Sequence, residues 1–150
     1  MRNHMIMHIA SDHAGLALKN AVKTHLLGQG LEVLDHGTNS AESTDYPLYA
    51  HTLCAAVLAG GETHRGILVC GTGLGMSMAA NRHPGIRAAV CTCEFHARAT
   101  REHNNANVIC LGERVVGEGL ALDLVDVFLR TDFAGGRHER RVHLIENEQD

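Results

Sequence analysis

The sequence predicts an α/β protein with five parallel strands in one sheet and helices on both of its faces. Short runs rich in β-branched and apolar residues alternate five times with longer segments whose apolar residues recur at helical spacing. The central runs are continuously apolar, which is typical of strands that are covered on both sides. Strands that alternate with helices in this way form parallel sheets, and this predicts the fold class.

The first two strand–helix units occupy the N-terminal 60 residues. "MIMHIA" (5–10) is the first predicted strand, and "GLALKNAVKTHLLGQG" is the helix after it, with Gly28 or Gly30 as its stop. Its apolar residues recur at helical spacing: Leu16, Ala17, Val22, Leu26 and Leu27. "LEVLDHG" (31–37) is the second strand, followed by the helix "YPLYAHTLCAAVLAGG" with Pro47 in its first turn.

Three further units complete the chain. "GILVC" (66–70) is the third strand, and the helix after it starts in "GMSMAANR". "IRAAVC" (86–91) is the fourth strand, followed by the short helix "EFHARATREHN". "NVICLG" (107–112) is the fifth, followed by the strongly amphipathic helix "GEGLALDLVDVFLRT". The tail "GGRHERRVHLIENE" is predicted to be a last helix, exposed and charged.

Length and composition predict a single domain spanning residues 1–150 and exclude several classes of partner. The 150 residues are 45% hydrophobic and 20% charged, which is ordinary for a globular chain. A formal charge of -4 gives no electrostatic basis for binding nucleic acid or an anionic membrane. No apolar stretch approaches the roughly 20 residues of a membrane helix, and the N-terminus has no signal-peptide core, so we expect a cytoplasmic protein.

The cysteines and histidines do not predict a disulfide or a metal site. The five cysteines form no C-x-x-C pair, and their odd number in a chain without a secretion signal indicates free thiols. The 12 histidines include no H-E-x-x-H pair, and His138 with His143 lacks cysteine partners at zinc-finger spacing. We therefore expect scattered solvated or capping histidines and no metal.

Polar and ionisable residues follow the predicted strands. The carboxyl ends of parallel strands lie at one edge of a sheet, which is where ligands bind in such folds. The strand exits carry the following residues: Asp12 and His13, Asp35 to Thr38, Cys70 to Gly73, Cys91 and Thr92, and Gly112 to Arg114. This edge is therefore the predicted site.

The segment "CGTGLG" combines a cysteine with a glycine-rich turn between a strand and a helix. Glycines in such a turn let backbone N–H groups converge on an anion, although the spacing is neither G-x-G-x-x-G nor a P-loop. The same groups lower the pKa of an adjacent thiol, so Cys70 is interpreted as a reactive cysteine. The alternatives are a tight turn without a ligand and a buried structural thiol. For Cys54, Cys91, Cys93 and Cys110 the structural interpretation is preferred.

Three other segments contain candidate residues, each with a structural alternative. In "REHNN", His103 suits proton transfer and Asn104 suits oxyanion binding, but a C-terminal histidine also caps a helix. In "SDHAG", Asp12 or Ser11 caps the first helix in the structural interpretation. In "GGRHERR", Arg137 and Arg141 lie on one helix face and suit a phosphate, or form a solvated basic face.

Taken together, these segments resemble the ribose-5-phosphate isomerase B family and its galactose-6-phosphate isomerase relatives. The matches run in order through nearly the whole chain: "SDHAG", "DHGT", "TDYP", "CGTGLGMSMAAN", "GIRAAV", "REHNNANVICLG", "RVVG" and "GGRHERRV". One departure is Ala10–Ser11, where the family often has Gly-Cys, and we expect it to be tolerated. The presence of Cys70 is typical of the branch that uses a cysteine base.

The resemblance implies a Rossmann-like three-layer α/β/α sandwich that acts without metal or organic cofactor. It implies a homodimer with shared active sites, sometimes paired into tetramers, that converts an aldose phosphate to a ketose phosphate. By this resemblance Cys70 is the base between C1 and C2, Thr72 assists proton movement at the sugar oxygens and His103 opens the ring. The remaining implied site residues are Asp12, Asp45 and Tyr46 at the sugar, the loop Gly71, Gly73 and Gly75 at the enediolate, Asn104 at the open-chain substrate, and His13, Arg114, Arg137 and Arg141 at the phosphate.

The preferred hypothesis is isomerisation of ribose 5-phosphate to ribulose 5-phosphate. Two alternatives remain open: an isomerase of another aldose phosphate, such as allose 6-phosphate, and a noncatalytic sugar-phosphate sensor on the same fold. The joint presence of Cys70, Thr72 and His103 argues against the sensor, because a sensor needs no base.

Overall fold

The computed structural model describes residues 4–147 and confirms the predicted fold class. Five strands form one parallel sheet in the order β2-β1-β3-β5-β4. The strands are β1 (Ile6–Ser11), β2 (Glu32–Asp35), β3 (His64–Cys70), β4 (Ala88–Val90) and β5 (Val108–Gly112). The fourth strand is shorter than predicted, because Ile86 is held in a turn through its N–H bond to the His83 carbonyl.

Within residues 4–147, six helices follow the strands in the predicted order. They are α1 (Leu16–Gly28), α2 (Tyr46–Gly60), α3 (Leu74–Ala80), α4 (Glu94–Asn104), α5 (Glu118–Arg130) and α6 (Arg137–Glu146). A 3₁₀ turn, His13–Gly15, separates β1 from α1. The charged last helix was predicted correctly and buries no residue, although Glu148 at the end of that segment lies outside the described residues. No described helix is long and apolar enough to cross a membrane.

The helices divide between the two faces because each inner strand is apolar on both sides. Met7, Ile9, Ile67 and Val69 pack on the side of α1, α4 and α5. The alternate residues of the same strands pack on the side of α2 and α3, where Leu53 and Met76 are fully buried. The result is the three-layer α/β/α sandwich. Ser11, part of the Ala10–Ser11 departure, is fully buried, and its Oγ has no hydrogen-bond partner within residues 4–147.

The order of the strands creates a topological switch point between the carboxyl ends of β1 and β3. From β1 the chain crosses to β2 on one side, and β3 then returns to pair with the other side of β1. Crevices for ligands form at such a point, outside the carboxyl ends of the strands. Here the crevice lies between the exits of β1 and β3, which carry Asp12 and Cys70. The structure therefore places these two predicted residues at the ends of neighbouring strands.

Three histidines form a hydrogen-bonded row across neighbouring strands, contrary to the expectation of scattered histidines. His8 is 2% exposed; its Nδ1 lies 2.9 Å from His36 Nε2, and its Nε2 lies 2.8 Å from His64 Nδ1. Both neighbouring rings stack on that of His8. The prediction failed because the three positions are far apart in the sequence and meet only once the strands pair.

We expect the histidine row to make stability depend on pH. Burial, together with the neighbouring His36 and His64, lowers the pKa of His8 to about 4, and Glu32 opposes this shift. Burial also lowers the pKa of His36, against the attraction of Asp35. Because these pKa values are depressed by folding, the unfolded chain takes up protons first as the pH falls. Stability should be full above about pH 7 and should fall between the ordinary histidine pKa of 6.5 and about 4.

The measurement is urea unfolding at pH 7.5, 6.0 and 5.0 on the protein and on His8→Leu. The stability advantage of the wild type over His8→Leu should shrink steadily as the pH falls. His51→Ala, at an exposed histidine pair with His83, is the matched control and should follow the wild-type pH dependence. A constant difference between the wild type and His8→Leu at all three pH values would contradict the prediction.

Candidate functional site

Cys70 ends β3, and its side chain is 4% exposed. The N–H of Gly73 donates to Cys70 Sγ at 3.1 Å, so the sulfur acts as an acceptor. By contrast, the Cys91 thiol donates to the Ala89 carbonyl at 3.8 Å. The two sulfurs therefore have opposite roles: that of Cys70 accepts a backbone hydrogen bond, and that of Cys91 donates one.

The other buried thiols are unsuited to base or nucleophile chemistry. Burial raises the pKa of Cys54 to about 12. Burial, with a contribution from Cys93, raises that of Cys91 to about 12. Cys110 is fully buried, and its pKa is raised well above its ordinary value. All five cysteines are free, and only Cys93 is exposed.

The glycine loop, residues 71–75, requires its glycines for two reasons. Gly73 has a φ of 80°, a left-handed conformation that glycine adopts without strain and that aims its N–H at the thiol. Gly75 lies against the ring of Tyr46, where an added Cβ would come within 2.6 Å of the ring. Thr72 Oγ1 accepts from the Leu74 N–H at 3.2 Å and holds the turn into α3.

The exit of β1 brings Asp12 and His13 to the same crevice. Asp12 Oδ1 accepts from the N–H groups of Ala14 and Gly15 at 3.0 and 3.1 Å, so the capping role proposed as an alternative is present. His13 Nδ1 accepts from the Thr44 N–H at 3.1 Å. The neutral ring therefore carries its proton on Nε2, where it is a donor. The Thr44 bond also places His13 beside Asp45, whose side chain makes no capping bond to α2.

Arg114 joins this group from the exit of β5. Its N–H donates to the Gly71 carbonyl at 3.0 Å, and its guanidinium covers Gly71, where an added Cβ would lie 3.2 Å from Nη1. We use "thiol half-site" for the residues gathered here: Asp12, His13, Asp45, Tyr46, Cys70, the glycine loop and Arg114. Its basic side chains and N–H groups make it suited to an anionic ligand.

The sequence analysis missed a buried lysine beneath this crevice. Lys19 is fully buried, and its Nζ donates to both carboxylate oxygens of Asp35, to the Thr38 carbonyl and to Asn39. Burial favours the neutral acid, but bonds from Lys19, Gly37 and Lys23 hold the pKa of Asp35 below its ordinary value. The sequence feature that could have indicated its burial is its position directly after Leu18, within the apolar stripe of α1. This ion pair fixes the chain leaving β2.

The remaining predicted residues lie elsewhere. His103 and Asn104 end α4, and the His103 ring stacks on His138 of α6 with centroids 4.5 Å apart. Arg137 and Arg141 belong to the same helix α6, and the Ala134 N–H bonds to the Glu102 carbonyl just ahead of it. We use "histidine half-site" for these four residues: His103, Asn104, Arg137 and Arg141. All four are exposed.

The two half-sites lie at opposite edges of the sheet. Cys70 pairs in register with Gly112 at the carboxyl end of β5. His103 precedes the start of β5, where Arg87, the residue before β4, donates to the Asn104 and Asn105 carbonyls. The four residue steps from Val108 to Gly112 alone span about 13 Å at about 3.3 Å per residue. One chain therefore does not bring Cys70 and His103 together.

The half-sites lie apart from two large cavities in the described part of the chain. Within residues 4–147, no three histidine, cysteine, aspartate or glutamate side chains are arranged to hold a metal ion. Two cavities of about 770 and 520 Å³ are present, and neither is lined by a residue of either half-site.

The crevice at the switch point combines a buried thiol, a glycine loop, an Asp-His turn and an arginine. These features are typical of an α/β protein that binds a small anionic substrate. The chain belongs to the ribose/galactose isomerase family, which matches residues 7–145, and it is an isomerase. It is 51% identical to ribose-5-phosphate isomerase B of Escherichia coli over 134 residues, or 89% of each chain.

Solved structures agree with this membership. A ribose 5-phosphate isomerase of Thermotoga maritima is 55% identical, with a TM-score of 0.93, and the match covers 96% of this chain and 99% of that one. Ribose-5-phosphate isomerase B of Mycoplasma genitalium, solved with bound ribulose-5-phosphate, is 42% identical, with a TM-score of 0.92 and 95% of each chain covered.

Proposed function

We propose that the protein interconverts ribose 5-phosphate and ribulose 5-phosphate through an enediolate, with Cys70 as the base. The observation that carries this proposal is the Cys70 sulfur, which accepts an N–H bond at the head of the glycine loop. A proton next to a carbonyl is weakly acidic, so its removal needs a positioned base and donors aimed at the developing oxyanion. The thiolate and the loop N–H groups supply both without a metal or organic cofactor.

Each remaining residue has a role in this scheme. His103 opens the furanose ring, and Asn104 contacts the open-chain sugar. Cys70 removes the proton from C2 and returns it to C1, while Thr72 assists proton movement between the two oxygens. Asp12, Asp45 and Tyr46 contact the sugar hydroxyls. The phosphate is bound by four basic residues: His13, Arg114, Arg137 and Arg141.

This scheme requires two chains, because His103 and Cys70 lie at opposite edges of the sheet in one. A homodimer with two-fold symmetry joins the thiol half-site of one chain to the histidine half-site of the other, and does so twice. The outer faces of α2 and α3 offer apolar area for association, since Leu48, Leu74 and Met78 are 61%, 53% and 69% exposed. Free thiols, one of them exposed, suit the reducing cytoplasm, where we place the enzyme.

The test is a panel of aldose phosphates assayed for ketose formation in metal-free buffer. Ribose 5-phosphate should have the highest kcat/KM. A higher value for allose 6-phosphate would keep the chemistry and change the substrate. Binding of sugar phosphates without turnover of any of them would contradict the enzymatic proposal and favour a sensor.

Arg137→Ala or Arg141→Ala should raise the KM for ribose 5-phosphate strongly. Loss of a charge-assisted hydrogen bond to phosphate costs roughly 1.5–3 kcal/mol, or about 10- to 150-fold in KM. Both side chains are exposed, so folding should be unaffected. Steady-state kinetics on ribose 5-phosphate and on unphosphorylated ribose check this, and equal losses on both substrates would indicate a structural role for α6 instead. Arg140→Ala, on the same helix, is the matched control.

A further inference from the structure

Glu113 links the two sides of the crevice across the end of β3. Its Oε1 accepts from the Leu18 N–H in the first turn of α1 at 2.7 Å. Its own N–H donates to the Cys70 carbonyl at 2.9 Å, one residue before Arg114 donates to Gly71. The residue therefore contacts α1, the thiol-bearing strand and the arginine-bearing loop at once.

The contact with α1 adds to the Asp12 cap, which serves only the N–H groups of the 3₁₀ turn before the helix. Gly15 occupies the N-cap position and makes no side-chain capping bond. The first N–H groups of a helix need acceptors, and a carboxylate there is also favoured by the helix dipole. Glu113 supplies this acceptor from 95 residues away in the sequence. Its carboxylate also occupies the position where a helix would otherwise attract a phosphate.

Both ends of this link carry residues of the proposed phosphate set. His13 lies in the turn that leads into α1, and Arg114 is the next residue after Glu113. The Glu113 bond is a direct side-chain link between the start of α1 and the loop after β5. The bond therefore ties the segment that carries His13 to the loop that carries Arg114.

We propose that Glu113 is a positioning residue that sets His13 and Arg114 at the spacing a substrate phosphate requires. The proposal deepens the proposed isomerase function and rests on its phosphate set. Glu113 itself touches no substrate. Loss of the Glu113 carboxylate should weaken binding of the substrate phosphate and leave proton transfer by Cys70 intact. The effect should therefore appear in KM and not in kcat.

The experiment compares Glu113→Ala, Glu113→Asp and Glu113→Gln by steady-state kinetics on ribose 5-phosphate and by calorimetric titration with inorganic phosphate. Glu113→Ala should raise the KM and the phosphate Kd about tenfold, with kcat within about twofold. Glu113→Asp keeps the charge, but its shorter side chain should not reach the Leu18 N–H, so KM and Kd should rise as in Glu113→Ala. If the alanine variant does not fold, the aspartate variant provides the same test. Glu113→Gln keeps an acceptor for the Leu18 N–H and should stay within about threefold of wild type.

Asp126→Ala is the matched control. Asp126 accepts from His25 and Gln29 and so ties the other end of α1 to α5, far from the crevice. It should leave KM and the phosphate Kd unchanged while lowering the melting temperature. If Glu113→Ala and Glu113→Asp change KM and Kd no more than Asp126→Ala does, or if Glu113→Gln is as impaired as they are, the positioning role is overturned.

The two readouts separate this proposal from the proposed function. A wild type that turns over no sugar phosphate defeats the isomerase assignment, and the phosphate titration still decides the role of Glu113. A wild type that binds no phosphate defeats the positioning role as well. Normal turnover with an unchanged KM in the Glu113 variants defeats the positioning role alone.

Discussion

Replacement of Cys70 by alanine is expected to lower kcat for ribose 5-phosphate roughly 10²- to 10⁴-fold, the usual contribution of a positioned general base. Alanine removes the proton acceptor and the sulfur that accepts from Gly73, but Tyr46 packs on Gly75, so we expect the loop to be retained. The substrate should therefore still bind. Steady-state kinetics measure the loss, and calorimetric titration with ribose 5-phosphate measures the retained affinity.

The matched controls for Cys70→Ala are Cys54→Ala and Cys110→Ala, which remove fully buried sulfurs from the same packing layer. Burial keeps both of these thiols protonated, so their loss should cost stability but little activity. Iodoacetate should inactivate the wild type, and substrate should protect it, with the label found on Cys70. Near-normal turnover by Cys70→Ala would disprove its role as the base.

Mixing Cys70→Ala protein with His103→Ala protein should restore activity to roughly a quarter of the wild-type value. Random exchange makes half of the dimers mixed. If each site takes Cys70 from one chain and His103 from its partner, as proposed, one site of a mixed dimer carries both changes and the other carries neither. Each parent alone should stay nearly inactive. The measurement is isomerase activity after exchange, with mixed dimers quantified by native mass spectrometry.

The matched control mixes Cys70→Ala with Thr72→Ala. Both residues belong to the thiol half-site, so every mixed dimer carries one change in each site and no intact site forms. Activity in this mixture should stay at the level of the parents. Demonstrated exchange without recovery in the Cys70–His103 mixture would mean that both residues serve one chain's site. The shared-site proposal would then be abandoned, although the isomerase assignment would survive.

The sequence predicts most of the fold and the thiol half-site because both depend on regular rules. Apolar runs alternate with helical patterns, and parallel strands send their carboxyl ends to one edge, so Asp12, Cys70 and Arg114 were expected to lie near one another. Lys19 was missed because a lysine in a helix is normally solvated, and only the position of Asp35 beneath α1 explains its burial.

The histidine row and the Glu113 contact were missed for a different reason. Each joins residues that are between 28 and 95 positions apart, and neither has a local pattern. Their formation depends on strand register and on the exact approach of a loop to a helix end, which composition and periodicity do not specify. The separation of the half-sites is a different case, because the family resemblance implies shared sites; in the structure it follows from the direction in which α4 returns the chain to the start of β5.

Under the proposed pairing of half-sites, their placement at opposite edges would make activity depend on protein concentration. Each site would then need two chains, so we expect dilution below the dissociation constant of the pair to reduce specific activity without changing circular dichroism. A substrate that bound across both half-sites would favour the pair over the separate chains. By mass action, an enzyme at low abundance would then be kept assembled by the compound it consumes.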